Sequence, residues 1–183
     1  MKSLAQFLRD ISGMTLGFRI FFCIIMRILF VCTGNILRSP TAQGIARHQA
    51  KIYDPENRLI FNSAGIKVFY HKEEPDPRAV KLGTSKGVVF NNIFARQIEI
   101  KDFENNDLIL AMTKDHVEHL KNMSDPKHHP KIRLLLEFCK VKNSWHDEVI
   151  DPYYGQSQDI SEVYHIIELA INNLFKIISP QKW

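Results

Sequence analysis

Cysteine is scarce in this sequence: three in 183 residues, Cys23, Cys32 and Cys139, with no regular spacing. That excludes a disulfide framework and suits a reducing cytosol. No clean apolar run is long enough to cross a bilayer. The most apolar stretch ends in I-F-F-C-I-I-M at Ile20 to Met26 and is broken by Asp10 and Arg19. It also lacks the long apolar core and small-residue cleavage site of a secretory signal. A strong excess of positive or negative charge is missing too. The net charge of +4 is small and dispersed, too weak to argue for nucleic acid, although it suits an anionic substrate. There is no internal repeat, low-complexity tract or linker, and the length fits one domain with ample material for a core.

What is present is an alternation. R-I-L-F-V (Arg27–Val31), R-L-I-F-N-S (Arg58–Ser63), D-L-I-L-A-M (Asp107–Met112) and K-I-R-L-L-L-E-F (Lys131–Phe138) read as strands. Helical patterns lie between them. One follows Pro40 and fades near Lys51. One opens on Asp76-Pro77, with Asp76 as N-cap, and runs to about Lys86. A connector over Ala95–Glu104 ends in a short helical turn. A further helix is capped by Thr113, with Val117 and Leu120 facing inward, and the last spans Ser161–Ile178. Near-continuous apolar strands alternating with helices predict an α/β fold. It is a single doubly wound domain: a four-stranded parallel sheet with helices on both faces and a phosphate-binding loop after the first strand. The site then lies outside the carboxyl ends of the strands.

Ten residues carry the chemistry: V-C-T-G-N-I-L-R-S-P, Val31 to Pro40. A strand leads in and a helix begins at the end, so loop amides and the helix's orphan donors can converge on one anion. Amides and a guanidinium favour an ionised sulfur, which makes Cys32 a candidate nucleophile. Arg38 has the planar fork that grips two phosphate oxygens. Gly34 and Asn35 are residue types that accept positive φ. Ser39 can donate a hydroxyl hydrogen bond to the sulfur. A buried, inert cysteine at a strand end is the bland alternative, and the combination of nucleophile, clamp and helix start argues against it.

The stretch resembles the signature loop of the low-molecular-weight protein-tyrosine phosphatases, V-C-x-G-N-x-C-R-S-P, and the similarity extends over residues 27 to 178. The resemblance implies that Cys32 attacks phosphorus and that an Asp-Pro acid far downstream protonates the leaving group. Four Asp-Pro pairs occur, at Asp54, Asp76, Asp125 and Asp151, so the dipeptide alone selects none of them. By its place in the family pattern, D-P-Y-Y-G makes Asp151 the general acid. The amides from Thr33 through Gly34, Asn35, Ile36 and Leu37 to Arg38 would hold the phosphate oxygens. Asn35 would brace the loop with Ser63 as a partner. Phe69 would line one wall of the substrate slot and Tyr153 and Tyr154 the other. No metal and no cofactor is implied, and the partners are phosphorylated proteins in the cytoplasm.

Two departures stand out. Leu37 replaces the family's second cysteine, which removes the disulfide that traps oxidised enzyme reversibly. Ile93-Phe94 stands where many members carry a buried histidine, so the loop must be supported otherwise. His116 and His119, and the adjacent His128 and His129, have no cysteine or acidic partner to complete a metal set and read as solvated surface residues. Residues 27–183 form the expected phosphatase domain. Residues 1–26 precede it as an interfacial membrane-binding helix, an extra packed helix, or sequence upstream of a true start at Met26. The leading expectation is a phosphotyrosine phosphatase. A protein-arginine phosphatase on the same fold, a thiol-dependent arsenate reductase and an anion-binding module without catalysis are the alternatives.

Overall fold

Alternate residues of the first strand serve two different cores. In this computed structural model, which describes residues 25–138, 147–152 and 157–178, β1 is Met26–Cys32. Ile28, Phe30 and Cys32 face one core and Leu29 and Val31 face the other, all at 3% exposure or less. Side chains alternate across a strand, so an apolar residue at every position requires cover on both faces. β2 is Leu59–Gly65, β3 Leu108–Ala111 and β4 Ile132–Leu134. All three pairings are parallel and the order is β2-β1-β3-β4. From β1 the chain first moves to one neighbour and later returns to the other. That reversal opens a crevice at the carboxyl end of β1.

The helices are α1 (Arg38–Tyr53), α2 (Pro77–Ser85), α3 (Ile100–Asn105), α4 (Lys114–Met123) and α5 (Ser157–Ile178). α1, α2 and α5 pack with the Phe30 face of the sheet, while Phe103 of α3 and Leu120 of α4 cover the Val31 face. The expected caps are in place: Asp76 accepts from the Arg78 N–H at 2.8 Å, and Thr113 Oγ1 from the His116 N–H at 3.3 Å.

The fourth strand is shorter than the sequence predicts. It ends at Leu134, and Leu135–Phe138 form a 3₁₀ turn. The Glu137 carboxylate accepts from the Leu134 N–H at 3.1 Å and from Arg133 Nε at 2.7 Å, drawing the chain into a coil. A spacing of three then places both Leu135 and Phe138 in the core, at 0% and 1% exposure. α5 starts at Ser157, ahead of the expected Ser161, and carries Asp159 in its first turn, where a negative charge favours the helix.

Candidate active site

The β1–α1 loop is held by a relay of directed hydrogen bonds. Asn35 adopts φ +56°, the left-handed conformation that asparagine tolerates. Its Nδ2 donates to Ser39 Oγ and to Ser63 Oγ, each at 2.9 Å, and its Oδ1 accepts from the Arg96 N–H at 3.0 Å. Ser63 Oγ passes its own proton to Gln43 Oε1 at 2.6 Å, and Gln43 Nε2 donates to the Phe61 carbonyl at 3.2 Å. Because Ser39 Oγ already accepts from Asn35, its proton is left for Cys32 Sγ, 3.0 Å away, or for the Ala64 carbonyl at 3.4 Å. Cys32, Asn35 and Ser39 are 3%, 1% and 0% exposed. The Asn35–Ser63 brace is as the resemblance implies. The Arg96 N–H adds a tie from another part of the chain to the same side chain.

Gly34 departs from expectation: its φ is not positive, and a Cβ there would meet nothing nearer than Ile36 Cγ1 at 3.9 Å. The loop turns on Asn35 alone. The glycine that matters sterically is Gly65 at the end of β2, where a Cβ would lie 2.6 Å from the Thr33 carbonyl oxygen and 3.0 Å from Asn35 N. The Ile66 and Lys67 N–H groups then tie this segment to the Cys32 and Thr33 carbonyls at 3.0 and 2.9 Å.

Among the described residues, the backbone N–H groups of Gly34, Asn35, Ile36 and Leu37 donate to no acceptor. Leu37 is the N-cap of α1 and offers no capping side chain. Four unsatisfied loop amides next to an uncapped helix start make a site for an anion with several oxygens. Arg38, 4% exposed, lies across it. Its Nη1 donates to the Val149 carbonyl at 3.1 Å, and its Nη2 to Thr33 Oγ1 at 3.3 Å and to the Asp151 carboxylate. Asp151 is half exposed. Its loop hangs on the junction of β3 and α4: the Val149 N–H donates to the Met112 carbonyl at 2.9 Å, and Glu148 accepts from the Lys114 N–H at 2.8 Å. Phe69 stands beyond Lys67 at 70% exposure, with the Lys67 ammonium 5.3 Å from its ring centre. Tyr153 and Tyr154 lie outside the described residues.

His116 requires a correction. It is 5% exposed, and its Nε2 lies 2.9 Å from Thr33 Oγ1. It occupies the first turn of α4, and the start of that helix faces the carboxyl end of the sheet, so the ring turns inward. His119 is exposed; His128 stacks on Phe103 and His129 Nε2 contacts the Lys121 carbonyl at 3.0 Å. Gln43 was equally unmarked by sequence. The available signal for His116 was its place three residues after the cap of a helix that begins at the site.

Burial, and then the Arg38 guanidinium, push the His116 imidazole down to about 4; Asp151 and Asp115 oppose this and His119 adds to it. The unfolded ring binds its proton near 6.5, so between those values the unfolded state holds more protons and acid favours it. Stability is therefore expected to fall as pH drops through that window. From pH 7 to 5 the wild type should lose about 1–2 kcal/mol more than His116→Gln, measured by urea unfolding at both pH values. Equal losses would refute the burial argument.

Such an arrangement can put a sulfur nucleophile against a tetrahedral oxyanion while a carboxyl group waits at the rim. Phosphate monoesters are the anions whose cleavage needs both. The class is that of cysteine-dependent phosphomonoester hydrolases. Within it, the chain belongs to the low molecular weight phosphotyrosine protein phosphatase family, whose sequence model matches residues 27–182.

The protein-tyrosine-phosphatase YfkJ of Bacillus subtilis is 32% identical over 155 residues, 85% of this chain and 97% of its own length. Its crystal structure superposes with a TM-score of 0.78, covering 87% of this chain and 98% of that one, at 31% identity. Wzb of Escherichia coli, also named a low molecular weight protein-tyrosine-phosphatase, is 34% identical over 85% of this chain and 97% of its own. The structure of the YwlE arginine phosphatase with a phosphorylated active-site serine shares 26% identity and covers 86% of this chain and 98% of that one, with a TM-score of 0.73.

Proposed function

We propose that the protein hydrolyses phosphotyrosine in phosphorylated proteins through a phosphocysteine intermediate. Cys32 Sγ attacks phosphorus as the ester oxygen leaves, and Asp151 gives that oxygen its proton. Asp151, now a carboxylate, takes a proton from the water that cleaves the S–P bond, releasing phosphate and restoring the thiolate. Ser39 steadies the sulfur as attacker and as leaving group. Arg38 and the amides from Thr33 to Arg38 hold the three non-bridging oxygens, whose charge the transition state spreads. When the dianion enters, the Arg38 guanidinium exchanges the Asp151 carboxylate for phosphate oxygens; the released carboxylate takes up a proton from solvent and meets the leaving group as an acid.

The observation that carries this reading is the convergence of Cys32, Ser39, Arg38 and Asp151, from two distant parts of the chain, on one loop at the carboxyl end of β1. The exposed Phe69 ring beside that loop favours an aryl substrate. Tyr153 and Tyr154 would form the facing wall. We read residues 27–183 as the catalytic domain and residues 1–26 as an extension, in keeping with β1 beginning at Met26. We read the cytoplasm as its location. Among the described residues no helix is long and apolar enough to cross a membrane.

The test is p-nitrophenyl phosphate hydrolysis by wild type and Asp151→Asn. The asparagine cannot supply a proton, and kcat should fall by about 10²–10³-fold. A fall below threefold would remove Asp151 from its role. Likeness to the YwlE arginine phosphatase keeps a second substrate in view, and matched phosphotyrosine and phosphoarginine peptides separate the two, with a higher kcat/KM expected for phosphotyrosine.

A further inference from the structure

Burying an imidazole costs solvation, and packing alone would be served at least as well by leucine at the start of α4. The His116 ring has one polar contact among the described residues, and that contact is Thr33, the residue after Cys32. Its Nδ1 is buried without a partner. The ring is thus held in place by packing and aimed at a single hydroxyl.

That hydroxyl has a second neighbour, Arg38 Nη2 at 3.3 Å. A guanidinium can only donate, so Arg38 takes one lone pair of Thr33 Oγ1. Whichever tautomer His116 adopts, it engages the remaining capacity, as acceptor of the hydroxyl proton or as donor to the other lone pair. Between them the two neighbours leave the Thr33 rotor no freedom. We propose that His116 is a positioning residue, locking the Thr33 hydroxyl against Arg38 so that the guanidinium is already aimed across the nucleophile loop before phosphate arrives. The inference rests on the reading of Cys32 and Arg38 given above. It extends that reading to a residue on α4 that touches neither the sulfur nor the phosphate.

The arrangement also makes the β3–α4 junction a shared support. Met112 and Lys114 hold the loop that carries Asp151, and His116 reaches the loop that carries Cys32. Pre-aiming Arg38 removes an ordering cost at binding and keeps its donors in place as charge develops.

The experiment compares kcat on p-nitrophenyl phosphate and inhibition by inorganic phosphate for wild type, His116→Phe, His116→Gln, Thr33→Val and the double variant Thr33→Val/His116→Phe, with melting curves for each. Phenylalanine fills the space without engaging Thr33. It should lower kcat on the order of tenfold and weaken phosphate inhibition by a similar factor. Glutamine can reach with an amide oxygen or nitrogen in place of Nε2 and should stay within about threefold of wild type. Adding His116→Phe to Thr33→Val should cost less than twofold more, because the contact is already gone.

A His116→Phe enzyme within twofold of wild type, a glutamine variant as impaired as the phenylalanine one, or losses that multiply in the double variant would each overturn the proposal. If the phenylalanine variant fails to fold, Thr33→Val alone decides, since it breaks the contact from the other side; unchanged kcat there overturns it. Cys32→Ser in the same assay separates the two levels of inference. If that variant still turns over, the reading of the site fails. If it is inactive while His116→Phe is unaffected, only the role of His116 fails.

Discussion

Cys32→Ser is expected to reduce p-nitrophenyl phosphate turnover by about 10⁴-fold or more while the melting temperature stays close to that of wild type. The substitution exchanges one atom at a site already built to receive a hydroxyl hydrogen bond. Ser39 Oγ, 3.0 Å from the sulfur, can exchange a hydrogen bond with a serine oxygen there, and the Asn35–Ser63–Gln43 relay does not involve the exchanged atom. Folding should therefore be spared. Chemistry should not, because an alcohol keeps its proton at neutral pH and no base touches it among the described residues: Ser39 is the hydrogen-bond partner of Cys32 Sγ, and Asp151, the proposed acid for the leaving group, is held by Arg38. Inorganic phosphate should still bind, since the amides of Gly34 to Leu37 and Arg38 remain. Residual turnover within a hundredfold of wild type would show that another group performs the attack.

The second large effect is expected at Arg38. Arg38→Lys should lower kcat/KM by roughly 10³-fold and destabilise the fold by about 1–3 kcal/mol. A lysine keeps the charge but places it at one point. The native guanidinium spans the Val149 carbonyl, the Thr33 hydroxyl and the Asp151 carboxylate from a buried position. A single ammonium can neither maintain all three nor present two parallel donors to a phosphate. Steady-state kinetics and urea unfolding of the purified variant measure both parts. A kinetic loss under tenfold would mean that the amides alone carry the phosphate charge, and unaltered stability would mean that the Val149 and Asp151 contacts contribute little to holding the acid loop.

Contiguity decides what a sequence of this kind discloses. The nucleophile loop is ten consecutive residues, and its roles follow from side-chain chemistry and from the switch between strand and helix patterns. The parallel sheet follows from apolar runs such as Leu108–Ala111, which leave no polar face. Asp151 is different. Four Asp-Pro pairs look alike in one dimension, and its meeting with Arg38 depends on β3 pairing beside β1, because the loop before Asp151 is tied to the β3–α4 junction. His116 and Gln43 are hard to read in a sequence for a related reason. His116 sits among exposed polar neighbours on α4 and Gln43 in the wholly buried first half of α1, and the tertiary structure is what turns each of them inward. The shortened β4 follows from a local competition, the Glu137 carboxylate taking the Leu134 amide, that an apolar count over Lys131–Phe138 does not register.

A site assembled from two loops is ordinarily vulnerable to differential drift: a small tilt of one support separates acid from nucleophile. Here the five residues from Met112 to His116 hold both. A displacement of that corner reaches both loops, so part of it is common-mode and drops out of the gap between sulfur and carboxyl. The remainder is resisted by the ties of the Cys32 loop to β2 and Arg96.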